Sequence, residues 1–378
     1  MNNQKGSSNT HIGNKLFGLD HLRALAITLV FVYHYGRIFP HPEWTNSISK
    51  FGWTGVDLFF VLSGYLIASQ LFAEIAKQKT ISLKDFFLKR FFRIIPAYLV
   101  VVAIYFCFPF VREREALAPL WKFLTFTQNL GLDLRTQGTF SHAWSLCIEE
   151  QFYLLFPLIL IALIHFKFFK KASWLLLLLF IFGFAIRYYS YQTFVFPFLD
   201  QDNVWIYWQK WIYYISYCRL DGLLAGVSIA ALFQFRPSFK EKIIKYGNLW
   251  LLLGLIILIG AYFLCLDEQS FYASVFGFPL VSICYGVIVV GAISPSSFLY
   301  KIKSGITTTI ATLSYSLYLV HKFVVHVSQE ELSKLGIEKN SNLMFVCCIV
   351  TVLVFAFVMN KIIEKPFMNL RKKLIKQK

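Results

Sequence analysis

Ten long apolar stretches dominate this chain, near 22–39, 52–74, 94–111, 143–166, 174–190, 211–234, 248–266, 274–293, 306–328 and 342–363. Each approaches the roughly 20 residues that a helix needs to cross a bilayer. Within hydrocarbon a segment must satisfy its own backbone polar groups, which a helix does without help from its neighbours. Of the 378 residues 57% are hydrophobic and only 15% charged, against about 25% charged in a soluble domain. Such a chain cannot hide its apolar surface inside itself, so its solvent is a bilayer. The expected fold is an all-α polytopic membrane protein, a bundle of about ten transmembrane helices. The expected divisions are an N-terminal tail at 1–21, a membrane domain at 22–366 and a basic C-terminal tail at 367–378. We expect no cleaved signal peptide and no appended soluble domain. The second, sixth and ninth stretches carry Gly, Ser and polar residues, which fits helices that face other helices.

Basic residues orient the bundle. Of 37 Lys and Arg, 24 fall in the segments on the side that holds both termini and 8 in the loops opposite, the other 5 lying within spans. By the positive-inside rule both termini are cytoplasmic. The same bias accounts for the net charge of +17. It is a charge distributed by topology and by anionic lipid, not the basic, aromatic-laced face of a nucleic-acid binder. The seven cysteines all lie in the apolar stretches and make no C-x-x-C pair, so neither a metal site nor a disulfide is expected.

One stretch resists that solvent. In WSLCIEEQFYLLFPLIL, residues 144 to 160, Glu149 and Glu150 stand side by side, where a buried charge costs about 2.5–3.5 kcal/mol on insertion scales. Depth supplies a compensation. Counting about 1.5 Å per residue, Glu149, Glu150, His34, Asp57, Arg187, Arg219, Asp221 and His321 all fall about 7–15 Å below the outer face of a core about 30 Å thick. The glutamates are therefore expected to meet Arg187, Arg219 and His34 in a shared cavity, since ionisable groups in a membrane pair or line water. On the first helix Arg23 and His34 are eleven residues apart, about 20° from eclipsed and about 16 Å apart along the axis. One face thus joins a cytoplasmic cation to a titratable base in the outer half. In KRFFRIIPAY, from Lys89, Arg90 and Arg93 share a helical face and suit a phosphate gripped bidentately.

Plainer roles stand beside these. Arg90 and Arg93 also serve as positive-inside anchors, Arg23 as a snorkelling side chain, and His321 and Lys322 as interface residues. The glutamates also fit a helix-orienting ion pair, and Ser63 with Gly64 fits close helix packing. A buried polar layer within many spans equally suits a transporter or flippase for a sugar-containing or anionic substrate.

The pieces taken in order resemble the membrane-bound acyltransferase family 3, the bacterial carbohydrate O-acyltransferases. They are Arg23 with His34, GVDLFFVLSGYLI from Gly55, KRFFRIIPAY, WSLCIEEQFYLLFP, RLDGLLAG from Arg219, SYSLYLVH, and EKP at 364–366. The resemblance covers 19–366 and is to the stand-alone members. It departs at Lys322-Phe323, where many relatives have a Pro nearby. It implies a multi-pass protein of the bacterial inner membrane, with no tightly bound cofactor and no metal. Acetyl-CoA or another acyl-CoA is the implied donor, and a cell-surface or lipid-linked saccharide the implied acceptor. On that reading Arg90 and Arg93, helped by Arg23, hold the donor's phosphates. His34 is the general base, Glu149 or Glu150 orients it, and Arg187 or Arg219 offsets the developing oxyanion, with direct transfer favoured over an acyl-His intermediate.

Overall fold

The computed structural model describes residues 16–114 and 116–376. Residues 1–15 of the expected N-terminal tail and the last two of the C-terminal tail lie outside the described residues. Among those described every regular element is helical. The long helices are α1 (Phe17–Ile38), α2 (Thr54–Ala76), α3 (Leu83–Cys107), α4 (Trp144–His165), α5 (Ala172–Phe194), α6 (Asp221–Phe235), α7 (Gly247–Leu264), α8 (Phe278–Ile293), α9 (Gly305–Lys334), α10 (Asn342–Met359) and α11 (Lys365–Lys376). Eight of the described segments are long and apolar enough to cross a membrane. The chain is an all-α, multi-pass membrane protein.

Two of the ten expected spans fall outside those eight. Helix α1 has the length, but Asp20, Arg23, His34 and Arg37 punctuate it. The stretch expected as one span over 211–234 is broken: a wide turn at Gln209–Tyr213, a tight turn at Ser216–Cys218, and then the 15-residue α6. Side chains satisfy the backbone that the break frees. Asn129 Nδ2 donates to the Tyr214 carbonyl at 3.1 Å, and Arg187 Nη1 to the Cys218 carbonyl at 2.9 Å. Irregular backbone at membrane depth is tolerated where protein supplies such partners. Arg219 therefore sits in the break, not on a helix.

Helix α3 runs longer toward its N-terminus than the apolar count suggests, because Ser82 caps it by accepting from the Asp85 N–H. KRFFR thus lies inside the helix. Packing follows small residues. A Cβ on Gly64 of α2 would drive into the Leu223 carbonyl oxygen of α6, and one on Gly226 into the Val61 carbonyl of α2. The two backbones cross in direct contact, as Gly-x3-Gly spacing at 222 and 226 permits. Helix α9 is the central post: 72% of its apolar window is buried, against 6% for the segment containing α5, which faces outward.

Candidate active site

A cavity of about 270 Å³ opens between α1, α2, α3, α4 and α9. Three arginines line it: Arg23 from α1, and Arg90 and Arg93 from α3. Arg93 is exposed, while Arg23 and Arg90 are half-buried. Arg90 Nη2 donates to Gln70 Oε1 at 3.4 Å, and its guanidinium lies 5.7 Å from the Tyr153 ring centroid. Its Nε is buried without a hydrogen-bond partner. The spacing of Arg90 and Arg93 puts both on the cavity face of α3, as one helical turn requires.

Glu149 belongs to this cavity. Its Oε1 accepts from Ser63 Oγ at 2.9 Å and its Oε2 from Tyr153 OH at 3.2 Å. Glu150, turned about 100° away on the helix, does not line the cavity. Among the described residues it makes no hydrogen bond or ion pair, though it lies within electrostatic reach of Arg90 and Tyr315. Hydroxyls rather than Arg187 and Arg219 therefore meet this half-buried carboxylate, and the same cavity holds Arg23, Arg90 and Arg93.

The far wall of the cavity is Tyr318 of α9. Its hydroxyl donates to the His142 carbonyl and accepts from Ser145 Oγ at 2.7 Å. Behind it lie three imidazoles. The His321 ring centroid is 4.9 Å from that of His34, 4.8 Å from that of His142 and 6.0 Å from the Tyr318 ring. The hydrogen bonds assign the tautomers. His321 Nδ1 lies 2.8 Å from the Tyr318 carbonyl and 3.1 Å from that of Leu317, so Nδ1 carries the proton. Its Nε2 must then accept from His34 Nδ1 at 2.9 Å. His34 is left with Nε2 unprotonated, a free base. His34 is also the one imidazole of the three that is not fully buried. The carboxylate expected to orient His34 is replaced by a second histidine, itself fixed by backbone carbonyls.

Arg187 and Arg219 are closed elsewhere. Arg187 Nη1 meets Asp221 Oδ2 at 2.6 Å, and Arg219 Nη2 meets both Asp57 oxygens at 3.0 Å, all four side chains being buried. The Arg219 guanidinium also lies 3.9 Å from the Phe278 ring centroid and 4.9 Å from that of Tyr213. The single polar layer expected from depth is thus three separate clusters. Depth alone does not give lateral position: the α2–α6 glycine contact brings Asp57 to Arg219, and Arg187 of α5 reaches Asp221 at the start of α6.

Sequence reasoning overlooked His142, Tyr318 and the Glu113–Lys322 pair. Lys322 Nζ lies 2.7 Å from Glu113 Oε1, with both side chains buried. Burial alone would raise the Glu113 carboxyl, but the Lys322 ammonium and the Phe140 N–H hold it below its ordinary range. Phe140 adopts a left-handed φ of 54°, unusual for a bulky residue. Its ring stacks on Tyr105 at 4.6 Å and Phe123 at 5.7 Å, which turns the chain into His142. Only the adjacency of Lys322 to His321, and of His142 to WSLCIEE, signalled these residues in the sequence.

The family described as "Acyltransferase domain" matches residues 16–361. The O-acetyltransferase OatA of Staphylococcus aureus (strain NCTC 8325 / PS 47) is 31% identical over 325 residues, which is 80% of this chain and 49% of that protein. SACOL0978 of Staphylococcus aureus (strain COL) is 30% identical over 349 residues, 86% of this chain and 53% of that one. The chain spans about half the length of the curated relatives it matches. No solved structure matches it.

Proposed function

This chain belongs to the membrane acyltransferase family, and from that premise we propose that it moves an acetyl group from acetyl-CoA to a hydroxyl of a cell-surface or lipid-linked saccharide. The observation that carries the reading is a cavity lined by three arginines and closed by Tyr318, with His321 6.0 Å beyond that ring and His34 bonded to His321, neither imidazole lining the cavity itself. The relatives' O-acetyltransferase names support acetyl transfer to oxygen. The bias of Lys and Arg supports both termini in the cytoplasm, which puts the arginine end on the side where acyl-CoA is found.

In this reading Arg23, Arg90 and Arg93 hold the donor's phosphates at the cytoplasmic mouth, and the pantetheine arm fills the cavity past Ser63 and Tyr315 toward Tyr318. The acceptor hydroxyl gives its proton to His34 Nε2 as its oxygen attacks the thioester carbon. The carbon–sulfur bond breaks as the tetrahedral species collapses, and His34 returns the proton to the departing thiolate. General base catalysis of this kind contributes about 10²–10⁴ in rate. Direct transfer needs no acyl-enzyme. His321 holds the required His34 tautomer. Glu149 accepts from Tyr153, whose ring lies against the Arg90 guanidinium, and so steadies that part of the arginine wall.

The test is kinetic. With purified full-length protein, His34→Ala should abolish transfer while insertion and folding persist. Arg90→Ala and Arg93→Ala should raise the acetyl-CoA KM with kcat largely kept, the sign of lost uniform binding. An unchanged donor KM in both arginine variants, or His34→Ala activity near wild type, would refute the assignment. Mass spectrometry of surface saccharide from a deletion strain identifies the acceptor.

A further inference from the structure

Arg371 lies in the segment read from sequence as a basic tail, yet the fold carries it to the cavity mouth. Phe367 of α11 packs on Phe92 of α3 with ring centroids 6.5 Å apart, and Arg371, four residues on, shares that face. Its Nη1 donates to the Lys89 carbonyl at 3.4 Å, one turn of α3 outward from Arg93. Arg371 is half-buried there, within electrostatic reach of Arg93 and Arg90. Four guanidiniums, of Arg23, Arg90, Arg93 and Arg371, therefore run from the cavity to the end of the bundle.

Among the described residues, Arg90, Arg93 and Arg371 form no ion pair with a carboxylate. Of the nearby acids, Glu149 accepts from Ser63 and Tyr153, Glu364 accepts from Ser316 and from Asn360 Nδ2 at 3.0 Å, and Glu150 lies within electrostatic reach of Arg90 without pairing with it. Guanidiniums gathered without a carboxylate in contact repel one another, and the buried, unpartnered Arg90 Nε marks a group left open for a ligand. The anion that fits has more than one phosphate, spaced along a chain whose other end enters the cavity. In acyl-CoA the order from the thioester outward is pantetheine, diphosphate, then the ribose 3′-phosphate. The order of cations outward is Arg90 and Arg93, then Arg371.

We propose that Arg371 is a further donor-binding residue, which takes the 3′-phosphate of an acyl-CoA whose diphosphate lies against Arg90 and Arg93. The inference rests on the acetyl-CoA donor reading above. A lipid headgroup offers the same phosphate chemistry to a half-buried arginine, so the experiment separates the two sources. Purified full-length protein in nanodiscs of zwitterionic lipid, and in nanodiscs with added anionic lipid, is assayed with acetyl-CoA and with 3′-dephospho-acetyl-CoA. The wild type should prefer acetyl-CoA in KM by about tenfold, the scale of one hydrogen bond to a charged group. In Arg371→Ala that preference should collapse toward unity through a higher acetyl-CoA KM, in either lipid. Arg371→Lys should recover part of it, which excludes misfolding as the cause. A rise in KM that is equal for both donors, or no change for either, overturns the proposal. So does a change that follows anionic lipid and ignores the 3′-phosphate. A wild type that turns over both donors equally defeats Arg371 alone, whereas one that binds neither removes the donor reading itself.

Discussion

Replacing His321 with Ala tests whether the histidine pair sets the base. The perturbation removes the acceptor 2.9 Å from His34 Nδ1 and leaves the Leu317 and Tyr318 carbonyls without their imidazole donor. A neutral hydrogen bond contributes about 0.5–1.5 kcal/mol, so the loss lowers the population of the productive His34 tautomer about 2–10-fold. The ring is also freed to rotate, and a misplacement of about 1 Å at a reacting group costs up to about 10²-fold. Together these place the fall in kcat at about 10–100-fold, smaller than the 10²–10⁴ attached to losing a general base outright. The donor KM should hardly move, because Arg90 and Arg93 line the cavity and His321 lies outside it, beyond the Tyr318 ring. His321→Gln, whose amide offers both an acceptor and a donor, should recover part of the rate. The assay is initial-rate acetyl transfer by purified protein across a range of acetyl-CoA, normalised to monodisperse protein. A folded His321→Ala variant with kcat within about twofold of wild type would show that His34 needs no partner to act, and the tautomer argument would fail.

Two further outcomes follow from the buried charges. Asp57→Ala strands the Arg219 guanidinium, which is buried with both Asp57 oxygens as its carboxylate partners, and should cost about 3–5 kcal/mol of stability. Asp57→Asn should cost less, and thermal unfolding in detergent that ranks the two equally would contradict the pairing. Glu149→Leu removes the acceptor of Ser63 and Tyr153 and should lower folded yield, since donors left unsatisfied cost about 1–3 kcal/mol each. Glu150→Leu, which breaks no hydrogen bond, should keep its yield; solubilised monodisperse yields in the reverse order would show that the two carboxylates have been assigned to the wrong environments.

The sequence by itself determined the solvent and the helical class, because hydrophobic run length is a one-dimensional quantity. It also placed Arg23 with His34, and Arg90 with Arg93, on common faces, since helical periodicity is local. The partners of these residues were not legible. Arg219 pairs with Asp57 across 162 positions and His34 with His321 across 287, and no local pattern encodes which helices lie side by side. Packing of Gly64 and Gly226 into the opposing backbone decided that α2 and α6 touch, and so gave Arg219 to Asp57 and not to Glu149. The break at 214–220 was hidden for a similar reason: its free carbonyls are stable only because Asn129 and Arg187 arrive from distant segments to bind them. The C-terminal basic residues read as a tail because charge composition alone cannot see Phe367 docked on Phe92. In a membrane, where hydrophobicity does not favour one helix neighbour over another, lateral arrangement comes from close packing and hydrogen bonds between distant residues, and those exist only once the chain has folded.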